Sequence, residues 1–151
     1  MIKRLLLTAS LTISSTFAYN VGDTVDKNIV NDLKMNDNKI YIVDFFASWC
    51  ASCKIELPLI SKLNQTLDKS KYVLLGVNSD TNINKGKEFV NKLQLSFDVV
   101  YDNQNKIISK FNPIGVPAIY YIKNSKVQKV VFGAVHNIDQ KILNDLKTIG
   151  E

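Results

Sequence analysis

A buried strand that runs directly into a helix carrying both cysteines is the feature that most constrains the fold. Residues 40–46 read IYIVDFF, and both cysteines of the chain follow in WCASC at 49–53. A run of β-branched and aromatic residues is typical of a strand buried on both faces. From residue 51 to about 67, apolar residues recur at helical spacing, with Pro58 as an expected kink. The sequence therefore predicts Cys50 and Cys53 at a strand-to-helix junction.

The alternation of strands and helices continues to the end of the chain. We expect strands at 72–77 and 97–101, helices at 85–95, 104–111 and 137–149, and a hairpin formed by 118–122 and 127–132. Parallel strands joined by helices and followed by an antiparallel hairpin make a mixed α/β sheet. About 130 residues are enough for one domain with a real core.

The first 18 residues have the pattern of a secretory signal. A basic start at Lys3 and Arg4 precedes the moderately apolar run LLLTASLTISSTFA, which ends in small residues at Thr16 and Ala18. The run is shorter than a spanning helix and contains Ser and Thr, so an uncleaved N-terminal membrane anchor is the alternative. We expect a signal peptide at 1–18, cleavage near Ala18, and a domain at 19–151 in the periplasm or otherwise exported.

The charge of the chain argues against a nucleic-acid partner. Of the formal net charge of +5, Lys3 and Arg4 supply two, which leaves about +3 spread along the domain. We expect the other lysines on solvated faces, among them Lys62, Lys69, Lys71, Lys85, Lys87 and Lys92.

Three roles are open for the cysteine pair: a staple, part of a metal site, or a redox couple. A disulfide across so short a loop would constrain the unfolded chain little, which disfavours a staple. Structural zinc takes four ligands, and the chain offers two cysteines and the single, distant His136. A copper carrier is disfavoured because Met35 is the only methionine outside the signal. We therefore expect a redox-active Cys50–Cys53 disulfide with no metal and no further cofactor.

Four motifs resemble the thioredoxin superfamily, and more closely its exported TlpA/ResA/CcmG-like branch of thiol:disulfide oxidoreductases. VDFFASWCASC at 43–53 is similar to the strand-to-helix segment of the family, and KIELP at 54–58 to the continuation found in the exported branch. GVPA at 115–118 resembles the cis-proline loop, and 85–101 resembles the insertion of the exported branch. The resemblance implies a thioredoxin-like fold, a mixed central sheet flanked by helices, with an extra helix and strand before the cis-proline loop. We expect the protein to be a monomer.

The predicted placement of the cysteines suggests their roles. At a helix start, backbone N–H groups and the helix dipole favour the thiolate, which makes Cys50 the nucleophile. Cys53, one turn later, would resolve the mixed disulfide. Asp44 in the buried strand matches the acid of thioredoxin, and Glu56 matches the acid of the exported branch. Either can accept a proton during resolution, and a hydrogen-bonded structural acid or a solvated helix glutamate is the alternative reading.

The predicted substrate-binding residues are Trp49, Val116 and Pro117. Trp49 would be an exposed aromatic contact, with a partly buried core position as the alternative. A cis bond before Pro117 would turn the backbone of Val116 toward the cysteines, where it could pair with a substrate peptide.

The resemblance favours an exported protein-disulfide reductase, for example of apocytochrome c thiols during cytochrome c maturation. A membrane electron donor of the DsbD/CcdA type would recharge it. The alternatives are a disulfide-introducing oxidase or isomerase and a non-enzymatic metal-carrying or binding module on the same fold. Ser52 stands where many relatives have proline, and the residues between the cysteines tune the redox potential. The direction of electron flow is therefore open at this point.

Overall fold

The computed structural model describes residues 18–36 and 38–150, so that nearly all of the predicted signal lies outside the described part. Strands and helices alternate as expected. In the portion described, no helix has both the length and the apolar character needed to cross a membrane. The elements in chain order are α1 (Lys27–Asp32), β1 (Ile40–Phe46), α2 (Ala51–Asn64), β2 (Tyr72–Asn78), α3 (Ile83–Leu93), β3 (Asp98–Tyr101), α4 (Ile108–Phe111), β4 (Ala118–Lys123), β5 (Lys126–Phe132) and α5 (Ile138–Gly150).

The five strands form one mixed sheet in the order β3-β2-β1-β4-β5. Strands β1, β2 and β3 are parallel, while β4 is antiparallel to both β1 and β5. The predicted mixed α/β sheet is confirmed. Strand β1 lies at the centre, and all seven of its residues are buried, which explains its nearly unbroken apolar sequence.

Alternate residues of β1 point to opposite faces of the sheet and belong to separate clusters. On one face Val43 and Phe45 pack with Ile29 of α1 and Phe111 of α4. On the other face Ile42 packs with residues of α2 and α5. By this alternation Asp44 and Phe46 lie on the same face as Ile42, beneath α2. The sheet therefore presents one carboxylate to the helix that carries the cysteines.

Helix α1 was not predicted from the sequence, and the predicted helix at 104–111 is reduced to Ile108–Phe111. Six residues are too few to show a helical period, and a helix this short depends on tertiary packing, here through the buried Ile29. Before α4, the carboxylate of Asp102 accepts the backbone N–H groups of Ile107 and Ile108, which replaces the expected first turn of the helix.

Candidate active site

The two cysteines lie where β1 gives way to α2, as the sequence predicted. Cys50 is the N-cap residue of α2, and its Sγ accepts a hydrogen bond from the backbone N–H of Cys53 at 3.2 Å. The two sulfur atoms form a disulfide with an S–S distance of 2.12 Å. A sulfur at the N-cap faces unpaired N–H groups and the positive end of the helix dipole, which stabilise a thiolate when the bond is reduced.

Both cysteines are buried, and the exposed surface next to them is provided by the neighbouring Trp49. Cys53 is almost fully buried and packs in a cluster that also contains Phe46, Leu57 and Phe89. Next to Cys50, the side chain of Trp49 is 70% exposed. The structure therefore has Trp49 at the surface, as expected, and not in the core. A partner would approach the disulfide from the Trp49 side.

A buried polar network that sequence reasoning missed holds the loop before Cys50. The carboxylate of Asp80 accepts the backbone N–H of Ser48 at 2.9 Å and its hydroxyl at 2.7 Å. The side-chain amide of Asn78 donates to the same carboxylate at 2.8 Å. Asn78 is the last residue of β2, which is parallel to β1, and Asp80 lies two residues beyond it. Their position at the same end of the sheet as the cysteines was the signal that could have identified them.

Asp44 is a buried carboxyl group without full hydrogen bonding. Its side chain is 2% exposed, and its Oδ1 has no hydrogen-bond partner in the part of the chain that the structure describes. Burial away from water raises the pKa of Asp44 well above its ordinary value, and repulsion from Glu56 raises it further. Both causes favour the protonated acid.

Glu56 is the second buried acid, and it ties α2 to the loop before α5. Its Oε1 accepts the backbone N–H of Val135 at 2.6 Å. Burial raises the pKa of Glu56, while the Val135 hydrogen bond opposes the rise. The structure thus excludes a solvated helix glutamate and brings Glu56 close enough to Asp44 for the two charges to interact. Their proton-accepting roles stay predictions.

The loop before β4 packs near the cysteines. The Val116–Pro117 bond is cis, as the resemblance implied, and Val116 packs against the cluster that contains Cys50 and Cys53. Pro117 is buried, and its carbonyl accepts the N–H of Gly133 at 3.0 Å. Among the described residues, neither the N–H nor the C=O of Val116 has a hydrogen-bond partner. Ile114, which the sequence reading did not single out, is 89% exposed beside this loop.

A metal site needs several ligand side chains close together. Over residues 18–36 and 38–150, no three His, Cys, Asp or Glu side chains come together in a group suited to a metal ion. The chemistry supported by the arrangement is that of a dithiol, with a thiolate stabilised at a helix start and buried acids nearby.

The chain is similar to known families and proteins. The sequence profile of the AhpC/TSA family matches residues 16–130. A thiol-disulfide oxidoreductase ResA from Geobacillus thermodenitrificans is 27% identical over 152 aligned residues, which cover 91% of this chain and 87% of the relative.

Two solved structures show the same fold. A protein described as a thiol:disulfide interchange protein, DsbE, from Chlorobium tepidum superposes with a TM-score of 0.75 at 18% identity, over 87% of this chain and 98% of its own. A secreted Mycobacterium tuberculosis disulfide oxidoreductase homologous to E. coli DsbE superposes with a TM-score of 0.61 at 19% identity, over 72% of this chain and 83% of its own. The fold is therefore thioredoxin-like.

Proposed function

The chain belongs to the AhpC/TSA family, and on that premise we propose that it is an exported thiol:disulfide oxidoreductase that reduces protein disulfides with its Cys50/Cys53 dithiol. One observation carries the proposal. The Sγ atom of Cys50 caps the N-terminus of α2, where a thiolate is stabilised, and the same atom forms the disulfide with Cys53. The name of the ResA relative supports the same chemistry.

The reaction consists of two thiol–disulfide exchanges. The thiolate of Cys50 attacks one sulfur of the substrate disulfide, which forms a mixed disulfide and releases the first substrate thiolate. The thiolate of Cys53 then attacks the Sγ of Cys50, which closes the Cys50–Cys53 bond and releases the second substrate thiolate. Two electrons pass from the enzyme dithiol to the substrate, and the protons lost by the dithiol return to the substrate thiols. The dithiol is the only carrier of electrons in this scheme.

The buried acids are suited to move the proton of the resolving thiol. Cys53 is almost fully buried, so its proton cannot pass directly to bulk water. Asp44 has a carboxyl oxygen without a hydrogen-bond partner among the described residues. Burial raises the pKa values of both Asp44 and Glu56, so that whichever of the two carboxyl groups is ionised is a stronger base toward a thiol. We assign proton acceptance to this coupled pair rather than to either acid alone.

The surface around Cys50 is suited to a peptide. The unpaired N–H and C=O of Val116 can add an extended substrate strand, with Pro117 fixing the loop, while the exposed Trp49 supplies apolar contact. Backbone pairing of this kind tolerates many sequences. The proposed substrates are therefore exported protein disulfides, for example those of apocytochrome c during cytochrome c maturation.

The reductive direction and the exported location belong to the same proposal. The signal-like segment at 1–18 and the similarity to a secreted oxidoreductase support export, with the domain at 19–151 working in the periplasm or outside the cell. A membrane electron donor of the DsbD/CcdA type would return the disulfide to a dithiol, and the enzyme would act as a monomer. The Oγ of Ser52 lies 3.6 Å from the Sγ of Cys50 and can stabilise its thiolate, which favours the reduced form only weakly. Equilibration with glutathione measures the potential, and a strongly oxidising value would instead assign an oxidase or isomerase.

The function is tested with single cysteine variants. Cys53→Ser should accumulate a mixed disulfide between Cys50 and a substrate protein, visible by non-reducing electrophoresis and mass spectrometry, because attack proceeds while resolution is blocked. Cys50→Ser should neither trap substrate nor turn over. Trapping through Cys53 in the Cys50→Ser variant would reverse the assignment. A wild-type protein that shows no reversible Cys50–Cys53 couple with a dithiol would be a binding module instead.

A further inference from the structure

A cleft of about 400 Å³ lies beside the disulfide, between α2 and α3. Phe89 and Leu93 of α3 provide its apolar lining, and Ser48 of the loop before Cys50 also lines it. Phe89 packs against Phe46 with ring centroids 6.1 Å apart and belongs to the same cluster as Cys50 and Cys53. The lining of the cleft is therefore continuous with the packing of the redox pair.

The cleft also reaches the surface from which a partner approaches. Ser48 and Lys85 line a neighbouring cavity of about 470 Å³, and Trp49 lines that cavity as well. A segment of a partner whose disulfide lies at Cys50 can thus extend past Trp49 and along α3 without leaving a concave surface.

The charged groups on the cleft are unbalanced. Lys54, Lys85 and Lys92 line it together with a single acid, Glu88. In the described part of the chain, none of these three ammonium groups has a carboxylate within salt-bridge distance. Other lysines do have such partners: Lys129, for example, lies 2.6 Å from Asp145. The ammonium groups of Lys54, Lys85 and Lys92 can therefore pair with negatively charged groups of a ligand.

We propose that this cleft binds an acidic segment of the partner protein whose disulfide reacts at Cys50. The inference rests on the proposed function and narrows its substrate class. Carboxylates of the segment would pair with Lys54, Lys85 and Lys92, and an apolar side chain would pack on Phe89 and Leu93. Complementary charge raises the association rate and selects among partners. The Val116 backbone holds the residues at the disulfide itself, so that the cleft adds selection to a recognition mode that otherwise tolerates many sequences.

The test uses two peptides with the same disulfide loop, one flanked by Asp and Glu and the other by Asn and Gln at the same positions. At low ionic strength, wild-type kcat/KM should favour the acidic peptide by about tenfold. The double variant Lys85→Glu/Lys92→Glu should remove or invert this ratio, and 0.5 M salt should weaken it because the charges are exposed. The matched control is Lys27→Glu/Lys147→Glu, which makes the same change of charge at exposed positions on α1 and α5 and should keep the ratio.

Failure of this inference is distinct from failure of the proposed function. If wild type reduces neither peptide nor hydroxyethyl disulfide, the proposed function fails. If it reduces both peptides equally well, or if the control variant changes the ratio as much as the cleft variant does, the acidic docking cleft is wrong. Binding of phosphatidylglycerol vesicles that only the cleft variant loses, without any preference between peptides, would assign the cleft to a membrane surface and overturn the proposal.

Discussion

Asp44 makes the stability of the protein depend on pH in a direction opposite to that of a salt-bridged acid. Its pKa is raised by burial and by Glu56. As the pH rises above about 4, the unfolded chain loses this proton while the folded protein keeps it, so that the free energy of unfolding falls until the pH passes the folded pKa. Below pH 4 both states are protonated, and the effect disappears.

Replacing Asp44 by Asn should remove this fall in the free energy of unfolding with rising pH. Because the unfolded carboxyl ionises at a lower pH than the folded one, we expect the advantage of Asp44→Asn in free energy of unfolding to be larger at pH 8 than at pH 4. Urea denaturation of the oxidised protein at several pH values measures it. Asp98→Asn, at an exposed position on β3, is the control and should show no such trend. A difference that stays constant with pH would mean that Asp44 is not buried as a proton-holding acid.

The same acids should control the resolving step. General base catalysis contributes about 10²- to 10⁴-fold, and we expect Asp44→Asn combined with Glu56→Gln to slow decay of the mixed disulfide by about 10²-fold at pH 7. Rapid-quench trapping of the mixed disulfide measures this rate. The rate of Cys50 alkylation by iodoacetamide should change much less, since the N–H groups of α2 stabilise that thiolate. If the resolving step keeps its wild-type rate, the mechanism lacks its base.

At the scale of elements, α3 comes close to β2 at Gly86, which has no side chain to keep the two apart. A Cβ on Gly86 would lie 2.2 Å from Oδ1 of Asn78, the residue that donates to Asp80. Alanine is favoured over glycine in a helix by about 1 kcal/mol, but here it would displace a buried, hydrogen-bonded amide. The contact between α3 and β2 therefore depends on the missing side chain.

We expect Gly86→Ala to lower the free energy of unfolding by about 1–3 kcal/mol, because overpacking outweighs the gain in helix propensity. Since Asn78 and Asp80 hold Ser48, the variant should also reduce Cys53→Ser trapping of substrate. Chemical denaturation measures the first effect. Gly115→Ala is the control for stability, because a Cβ there meets nothing within 4 Å. A stabilised Gly86→Ala variant would show that α3 can move away from the sheet without cost.

How far the sequence predicts these elements depends on the length of each pattern. Strand β1 was correctly predicted because six of its seven residues are apolar or aromatic, which is typical of a buried central strand. Helix α1 was not, since its six residues offer one buried side chain, Ile29. The cysteines, Asp44 and Glu56 were found from local motifs, whereas Asp80 acts across 32 residues on Ser48 and becomes visible only when the sheet brings the two together. The basic cleft was missed for the same reason: Lys54 and Lys85 meet only in three dimensions.

At the scale of the whole molecule, the segment just after the predicted signal is part of the fold. The ring of Tyr19 packs edge-on against Phe111 with centroids 5.0 Å apart, and Val25 is 2% exposed in the core. Between this segment and the start of β5, Gly22 N–H donates to the carbonyl of Val127 at 2.8 Å, and the N–H of Val127 donates to the carbonyl of Asp23 at 2.9 Å. The segment from Tyr19 onward is therefore packed and hydrogen-bonded as part of the domain, while cleavage near Ala18 stays a prediction.

A chain of residues 19–151 should consequently be more stable than a chain of residues 26–151. We expect a loss of about 3–6 kcal/mol from the burial of Val25 and Tyr19 and the hydrogen bonds to β5. Thermal unfolding followed by circular dichroism compares the two chains. Tyr19→Phe in the longer chain is the control, since it keeps the ring on Phe111 and removes only the hydroxyl that accepts the N–H of Asp26. Equal melting temperatures would place the start of the domain later.

The segment at residues 19–25 also covers part of one edge of the sheet. Strand β5 is at the edge of the sheet, and an open edge is a template for pairing with strands of another chain. Thr24 bridges Lys126 in antiparallel fashion, so that the protein occupies the start of this edge with its own backbone. The start of β5 is therefore paired within the molecule and closed to a strand of another chain, whereas the proposed pairing with substrate uses the backbone of Val116 before β4.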